Sequence, residues 1–418
     1  MEHNPALALF LALGIVIAAA RIAGGLARQF NQPRVLGELI VGVILGPSLL
    51  DLLHSTALGL DQTILAETID ELAQLGVLLL MFKIGLDVHV SELVKVGKVA
   101  LLAGIGGALL PVVLVFPLLM LVGMSWQTSL FTGVVLAATS VSISAQVLLE
   151  LGVLQTKEGN GLLASALIDD VIAILLVSLT VALTTQEQGV ALGDLVTIIA
   201  RMSLYFVAAF GIAWFVLPRV IEWLSKQPAI AQSYGIPAVA LVLAMFFGWS
   251  AEVWGGVAAI SGAFIVGAGL SRLREPIKHP IDVAVSNIAY SFLVPIFFVS
   301  VGLQIDLHLF PLEILPLAAA LLLAALASKV IGCGLGAYWG GFNRQESLRL
   351  GICMISRGEV GLIIASLGLA NGILEADGGL FAAVFLVILL TTVITPPLVR
   401  RAFLNHPVHT RRATHVNN

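Results

Sequence analysis

Charged side chains are scarce in this sequence. Asp, Glu, Lys and Arg make up 11% of its 418 residues, against roughly 25% in an average soluble domain. The hydrophobic share is 59%, and the mean hydropathy is +1.05. A soluble core needs far less apolar surface than this, so the scarcity of charge excludes an ordinary water-soluble fold and predicts a membrane protein.

The patterns that indicate metal sites, hydrolases or nucleic-acid surfaces are missing as well. The two cysteines, Cys333 and Cys353, lie in apolar stretches without CxxC spacing, and we interpret them as packing residues. The sequence contains no His-Glu-x-x-His and no Gly-x-Ser-x-Gly. A net charge of −4 points to no nucleic-acid partner. We expect no cofactor and no enzymatic activity, with a membrane-embedded hydrolase as the least favoured alternative.

Apolar stretches long enough for the roughly 30 Å hydrocarbon layer recur along the whole chain. They must be helices, because lipid cannot satisfy free backbone groups. The sequence therefore predicts an all-α polytopic membrane protein with about 13 transmembrane helices. The predicted spans are 5–27, 34–52, 72–90, 98–122, 127–149, 159–184, 193–217, 234–253, 254–271, 284–304, 311–339, 346–370 and 377–399.

The distribution of positive charge tests this count, because cytoplasmic loops collect Lys and Arg. Lys and Arg gather at one set of alternate loops and in the tail, whereas the opposite loops are acidic. A wrong helix count would mix the two sets. We therefore expect a multi-pass protein of a bacterial inner membrane, with its N-terminus outside and its C-terminus in the cytoplasm.

Two pairs of segments predict an internal repeat. The segment 81–87 resembles 297–303, with glycines 217 residues apart, and 36–42 resembles 261–267, with glycines 225 apart. The first repeat covers about 5–184, a bridging helix about 193–217, and the second repeat about 234–399, followed by a cytoplasmic tail at 400–418. Because one helix bridges the halves, the two six-helix repeats are inverted.

Inverted repeats place the substrate site near the bilayer midplane, where helices are interrupted. A polar run at 139–144 interrupts the fifth span, and a shift of 217 residues leads to a second polar, glycine-containing run at 356–361 in the twelfth. We predict two crossed, discontinuous helices. Arg357 and Glu359 at the second run are expected to form a structural ion pair that neutralises the crossing.

Two adjacent carboxylates, Asp169 and Asp170, occupy the middle of the sixth span, too deep to reach water. They point about 100° apart around the helix, toward different neighbours. Lys329, in the middle of the eleventh span, is the available cation. It can pair with one aspartate or carry a proton itself. A purely structural Asp–Lys pair would account for one aspartate only.

The other aspartate, with the oxygens of Thr139 and Ser140 and unwound backbone, predicts a site for a small hard cation or a proton. Exchange then follows if the two compete and the site is exposed alternately to each side. Among the remaining buried charges, Lys83 is expected to reach the inner surface or to pair with Asp87 one turn away. The sequence assigns no role to Glu38 or Arg201.

These motifs together resemble a known family. The segments at 138–141, 168–171 and 356–363, with Lys329, are similar to those of the monovalent cation:proton antiporter-2 family, in particular its NapA-type bacterial sodium/proton antiporters. The resemblance covers nearly the whole chain. It implies a homodimer in the lipid bilayer, with a dimerisation domain and a core domain of spans 4–6 and 11–13 that moves like an elevator.

The resemblance also implies roles for individual residues. Asp170 matches the cation-binding aspartate, and Asp169 is the partner of Lys329. It further implies electrogenic exchange of two protons for one Na⁺ or Li⁺. Kef-type potassium efflux proteins carry a nucleotide-binding regulatory domain after the last helix, and the tail at 400–418 has no room for one. K⁺/H⁺ antiport remains the nearest alternative.

Overall fold

The structure is a computed structural model that describes residues 5–52, 62–185, 192–228, 234–306, 308, 312–370, 372–374 and 379–404. Within those ranges the regular elements are all helices. We number the α-helices in chain order as α1 Pro5–Gln29, α2 Arg34–Leu45, α3 Gln62–Asp87, α4 Val90–Lys95, α5 Gly97–Leu121, α6 Trp126–Val135, α7 Val141–Glu150, α8 Lys157–Thr185, α9 Leu192–Gly211, α10 Leu217–Leu224, α11 Gly235–Ser250, α12 Ala259–Leu270, α13 Glu275–Ile288, α14 Val294–Leu303, α15 Leu315–Gly340, α16 Arg344–Cys353, α17 Glu359–Ala370 and α18 Gly379–Phe403.

Among the described residues, eight helices are long and apolar enough to cross a bilayer. Three of them include a π-helical turn, at Ile212–Val216 between α9 and α10, at Ala251–Gly255 after α11 and at Ala289–Leu293 between α13 and α14. The chain is thus a multi-pass membrane protein. The predicted total of about 13 crossings also counts shorter helices and interrupted pairs, and it stays a prediction.

Several predicted boundaries are wrong. The second span was predicted to reach residue 52, but α2 ends at Leu45, where Gly46 and Pro47 follow. The third was predicted to begin at 72, yet α3 begins at Gln62, because its acidic first turns are helical although they are not apolar. The tenth begins at Glu275 instead of 284, with a proline in its first turn. The ninth begins at Ala259 instead of 254.

The helices pack in two groups. The most extensive contacts of α5 are with α15, α8 and α6, whereas those of α3 are with α12 and α14. We call α5–α8 with α15–α18 the core group, and α1–α3 with α9–α14 the scaffold group. Contacts between the groups are fewer and include those of α2 and α3 with α7 and of α2 with α18. Any site between the groups is therefore bounded by surfaces that pack less extensively on each other.

Two glycines bring α5 and α15 into backbone contact at the centre of the core group. A Cβ on Gly106 would lie 2.4 Å from the carbonyl oxygen of Gly332, and a Cβ on Gly332 would lie 2.3 Å from that of Gly106. No side chain fits in so small a gap. Small residues allow this close approach in membrane helices. The contact lies one turn from Lys329, so it fixes the position of that lysine.

Candidate functional site

The two predicted helix interruptions are present and lie against each other. Residues 136–140 separate α6 from α7, and residues 354–358 separate α16 from α17. The backbone N–H of Ser140 donates to the carbonyl of Ser356 at 2.9 Å, and the Ser356 hydroxyl donates to the carbonyl of Ser140 at 2.6 Å. The Ser144 hydroxyl adds a bond of 2.6 Å to the carbonyl of Cys353. One backbone N–H and two serine hydroxyls thus satisfy backbone carbonyls across the two interruptions.

Arg357 is completely buried where the two interruptions meet. Its guanidinium donates to three carbonyls, those of Leu136 at 2.7 Å, Ile355 at 3.0 Å and Ala325 at 3.0 Å. These carbonyls belong to the first interruption, the second interruption and α15. The side chain of Glu359, the predicted partner of Arg357, lies outside the described residues, so that ion pair stays a prediction. Arg357 satisfies carbonyls that the interruptions leave without a helical partner.

Asp169 and Lys329 form an ion pair inside the core group. The ammonium nitrogen lies 3.0 and 3.3 Å from the two carboxylate oxygens, and both side chains are at most 1% exposed. Gly107 of α5 lies beside the pair: a Cβ there would make ordinary contacts of 3.7 Å with Nζ of Lys329 and 3.8 Å with Oδ1 of Asp169, but would lie only 2.3 Å from Sγ of Cys333. A buried carboxylate facing a buried ammonium is electrically neutral as a unit.

Asp170 faces away from that pair, toward the scaffold group. It is 7% exposed, and its Oδ2 accepts a hydrogen bond of 3.0 Å from the hydroxyl of Ser261 on α12. Asp170 lines a small cavity together with residues of both groups, namely Val141, Leu163, Ala166 and Leu167 of the core group and Met81, Ile260, Ser261 and Phe264 of the scaffold group. The carboxylate therefore lies at the boundary between the two groups, in apolar surroundings.

Thr139 and Ser140 precede Val141, which lines the same cavity. Both side chains are buried, Thr139 at 5% exposure and Ser140 at 0%. The Thr139 hydroxyl has no hydrogen-bond partner in the structure, whereas that of Ser140 lies 3.0 Å from the hydroxyl of Ser142. A buried hydroxyl without a hydrogen-bond partner is uncommon, and a bound ligand would supply the missing partner. Thr139 is thus the better candidate of the two for an additional oxygen ligand.

The other charged residues within the predicted spans do not line this cavity. Lys83 pairs with Asp87 at 2.7 Å, as predicted, and with Asp282 of α13 at 2.6 Å, which was not predicted. Arg201 donates to the carbonyls of Trp254 and Val253 at 2.7 and 2.6 Å. Glu38 is buried near α1, where a Cβ on Gly24 would lie 3.5 Å from its Oε1. These contacts join helices of the scaffold group.

Ser261 is the site residue that the sequence reasoning missed. In the sequence it is the first residue of the repeat segment 261–267. A signal was available, because Ser261 is the one polar side chain in the twelve residues of α12. Cys333 and Cys353 are fully buried and free, which agrees with their interpretation as packing residues.

Comparison with protein families identifies the class. The family model described as "Sodium/hydrogen exchanger, transmembrane" matches residues 15–403, which is most of the chain. The chain belongs to the sodium/hydrogen exchanger family. Membership agrees with the resemblance found in the motifs at the level of cation:proton antiporters, whereas the NapA-type assignment stays a prediction.

Individual proteins resemble the chain over nearly their whole length. The Na(+)/H(+)-K(+) antiporter GerN of Bacillus cereus is 34% identical over 394 residues, covering 94% of this chain and 96% of that protein. The Na(+)/H(+) antiporter of Enterococcus hirae is 32% identical, covering 93% and 96%. The sodium proton antiporter MjNhaP1 of Methanocaldococcus jannaschii shares the fold, with a TM-score of 0.65 at 17% identity and coverage of 96% and 98%.

Proposed function

We propose that this protein is a secondary antiporter that exports Na⁺ or Li⁺ from the cytoplasm of a bacterium in exchange for protons. One observation carries the proposal. Of two adjacent buried aspartates, Asp169 is neutralised by Lys329 within the core group, and Asp170 lies in a cavity at the boundary with the scaffold group. A carboxylate at such a boundary is placed to bind a cation from either side of the membrane as the groups move.

Competition at Asp170 provides the exchange chemistry. Hard monovalent cations bind oxygen ligands, and we propose the unpartnered hydroxyl of Thr139, two residues before Val141 of the cavity, as a ligand in addition to the carboxylate. A proton on Asp170 removes the negative charge that holds the cation, so that the two ligands exclude each other. Antiport requires, in addition, that Asp170 crosses the membrane barrier only with one of its ligands bound.

The packing of the glycines supports the inverted repeat that alternating access requires. The sequence pairs Gly85 with Gly302 and Gly42 with Gly267. In the structure, Gly85 packs against α12 at Gly267, and Gly42 packs against α14 at Gly302. Exchange of the two halves turns one contact into the other, as a pseudo-two-fold axis in the membrane plane requires.

We further propose an elevator-like movement of the core group against the scaffold group, in a homodimer held by the scaffold groups. The cavity at Asp170 is bounded by the less extensive contacts between the groups, which fits such a movement. The distribution of Lys and Arg supports an orientation with the C-terminus in the cytoplasm of the cell and the N-terminus outside.

Potassium is the second candidate substrate, and one specific observation favours it. The GerN antiporter of Bacillus cereus, similar over nearly its whole length, carries both Na⁺ and K⁺ in its name. A K⁺/H⁺ antiporter would use the same aspartate with a larger set of oxygen ligands.

Antiport in proteoliposomes tests the proposal. The experiment follows the dissipation of a preset pH gradient on addition of Na⁺, Li⁺ or K⁺, for the wild type and for Asp170→Asn. We expect a saturable, Na⁺-dependent proton flux that Asp170→Asn reduces at least a hundredfold, because the amide keeps the shape but neither binds the cation nor exchanges the proton. A flux driven by K⁺ alone would favour the second candidate.

Asp306→Asn is the matched control. Asp306 is an aspartate of the scaffold group that follows α14 and bonds to the backbone N–H of His308 at 2.9 Å. It should leave the flux unchanged. Equal loss in both variants, or full flux in Asp170→Asn, would contradict the assignment of the site.

A further inference from the structure

The hydrogen bond between Ser261 and Asp170 joins the two groups of helices at the candidate site itself. Asp170 lies on α8, which packs on α5, α6 and α7 of the core group. Ser261 lies in the first turn of α12, which packs on α3 and α11 of the scaffold group. The 3.0 Å bond runs from the serine hydroxyl to the carboxylate oxygen, and both residues are buried.

We propose that Ser261 is a coupling residue, which holds the ion-free carboxylate of Asp170 on the scaffold group and so prevents the empty carrier from crossing. This inference rests on the proposed antiport function and adds a component from the scaffold group to its site. Ser261 acts on the transported ion through Asp170, so it is a positioning residue.

The strength of this bond depends on the state of Asp170. A hydroxyl that donates to a carboxylate is about twice as effective as one that donates to a neutral group. The bond is therefore strongest when Asp170 is ionised and carries no cation. A bound Na⁺ or a proton removes that advantage, since either neutralises the carboxylate. The Ser261–Asp170 bond is therefore strong in the ion-free state and weaker when a substrate is bound.

Selective weakening of this kind is what obligatory exchange requires. If the core group moved with an empty, ionised Asp170, it would return without a proton, and Na⁺ would leak down its gradient. Moving the core group away from α12 breaks the Ser261 bond and so removes a hydrogen bond from an ionised, buried carboxylate, which is costly. When Na⁺ or a proton is bound, the carboxylate is neutralised, so breaking the bond to Ser261 costs less free energy.

The surroundings of the bond make Ser261 the suitable donor. The other side chains that line the scaffold side of the cavity, Met81, Ile260 and Phe264, are apolar. Gly262, the next residue, packs directly against the backbone of α11, where a Cβ would lie 2.1 Å from the carbonyl of Phe247. This contact fixes the start of α12, and with it the position of the hydroxyl.

Efflux of radioactive Na⁺ from proteoliposomes tests the proposal. Vesicles loaded with ²²Na⁺ are diluted at pH 8.5 on both sides, with valinomycin and equal K⁺ concentrations to hold the potential at zero. Efflux into Na⁺-free medium measures the return of the carrier either protonated or empty, which the number of protons moved per Na⁺ tells apart, and efflux into Na⁺ medium measures exchange. We expect Ser261→Ala to raise the ratio of these two rates at least fivefold and to lower the number of protons moved per Na⁺.

Two variants serve as controls. Ser261→Thr keeps a hydroxyl and should restore the wild-type ratio. Ser271→Ala removes the hydroxyl at the other end of α12, which bonds to its own helix at the carbonyl of Ala268, and should also behave as the wild type. A purely structural role for Ser261 would change both rates together and leave their ratio as it was.

Two results for Ser261→Ala would overturn the proposal. An unchanged ratio in Ser261→Ala with intact exchange overturns the proposal. Loss of exchange in Ser261→Ala overturns it too, because the hydroxyl would then be needed to bind Na⁺ instead of to hold the empty site. Failure of the antiport function itself is recognised separately, as a wild type that moves no protons on addition of Na⁺, Li⁺ or K⁺.

Discussion

The adjacent aspartates illustrate how neighbours in sequence acquire different roles. The angle of about 100° between them turns Asp169 into the core group, toward Lys329, and Asp170 toward the boundary with the scaffold group. The sequence predicted two roles for the pair and named Lys329 as the cation. Which aspartate pairs with it came from the family resemblance, and the structure agrees. Ser261 was missed because a single serine in an apolar helix is usually interpreted as packing.

The Asp169–Lys329 pair leads to a prediction of stability. Lys329→Ala leaves a buried carboxylate without a cation, and we expect a loss of about 3–5 kcal/mol in the free energy of unfolding. The double variant Asp169→Ala/Lys329→Ala should be more stable than Lys329→Ala, because the charge that needs compensation is gone. Thermal unfolding of the purified protein in detergent measures both.

The exposed pair Lys95–Glu92, at 2.7 Å, is the control for this experiment. Lys95→Ala should cost less than about 1 kcal/mol, since water screens the remaining charge. A double variant as unstable as Lys329→Ala would show that the lysine stabilises the protein by packing and not by its charge.

At the scale of helices, the interruptions at 136–140 and 354–358 were predictable, and most helix ends were predicted to within a few residues. A polar run in an apolar helix is unfavourable unless it contacts another polar group, so its position predicts where two interruptions meet. The end of α2 before Gly46 and Pro47 and the polar first turns of α3 are set by features that hydropathy does not record. The carbonyl partners of Arg357 were also beyond the sequence, because backbone acceptors leave no residue pattern.

Arg357 gives a prediction for these elements. A lysine cannot reach three carbonyls on three elements at once, since its ammonium is a compact group on a flexible chain. We expect Arg357→Lys to lower the free energy of unfolding by about 2–4 kcal/mol, from the loss of hydrogen bonds to a charged donor. The antiport rate should fall as well, because the interruptions next to Val141 and the cavity lose their common support.

Arg219→Lys is the matched substitution. Arg219 is exposed and donates to the carbonyl of Phe215 in its own helical turn, so the change should stay within about 0.5 kcal/mol. Unfolding curves and antiport rates of the two variants should therefore differ clearly. Equal curves would mean that the carbonyls around Arg357 are satisfied in another way.

At the scale of the whole molecule, the stoichiometry of exchange determines the net charge that crosses the membrane in each cycle. If two protons enter for each Na⁺ that leaves, one net positive charge moves inward per cycle. A potential of 100 mV, negative inside, contributes about 2.3 kcal/mol to that movement. With no pH gradient, this energy supports a Na⁺ ratio of about fiftyfold at equilibrium, higher outside. Electroneutral exchange supports a ratio of one.

The difference between the electrogenic and the electroneutral Na⁺ ratio can be measured at equilibrium. Right-side-out vesicles are held at −100 mV by a K⁺ gradient and valinomycin, with equal pH on both sides, and the internal Na⁺ concentration is followed until it is constant. We expect the electrogenic ratio, because one substrate-binding aspartate and one neutral Asp169–Lys329 pair give the core group more sites for protons than for Na⁺. A final ratio near one would mean that Lys329 keeps its proton throughout the cycle and that Asp170 alone exchanges one proton for one Na⁺.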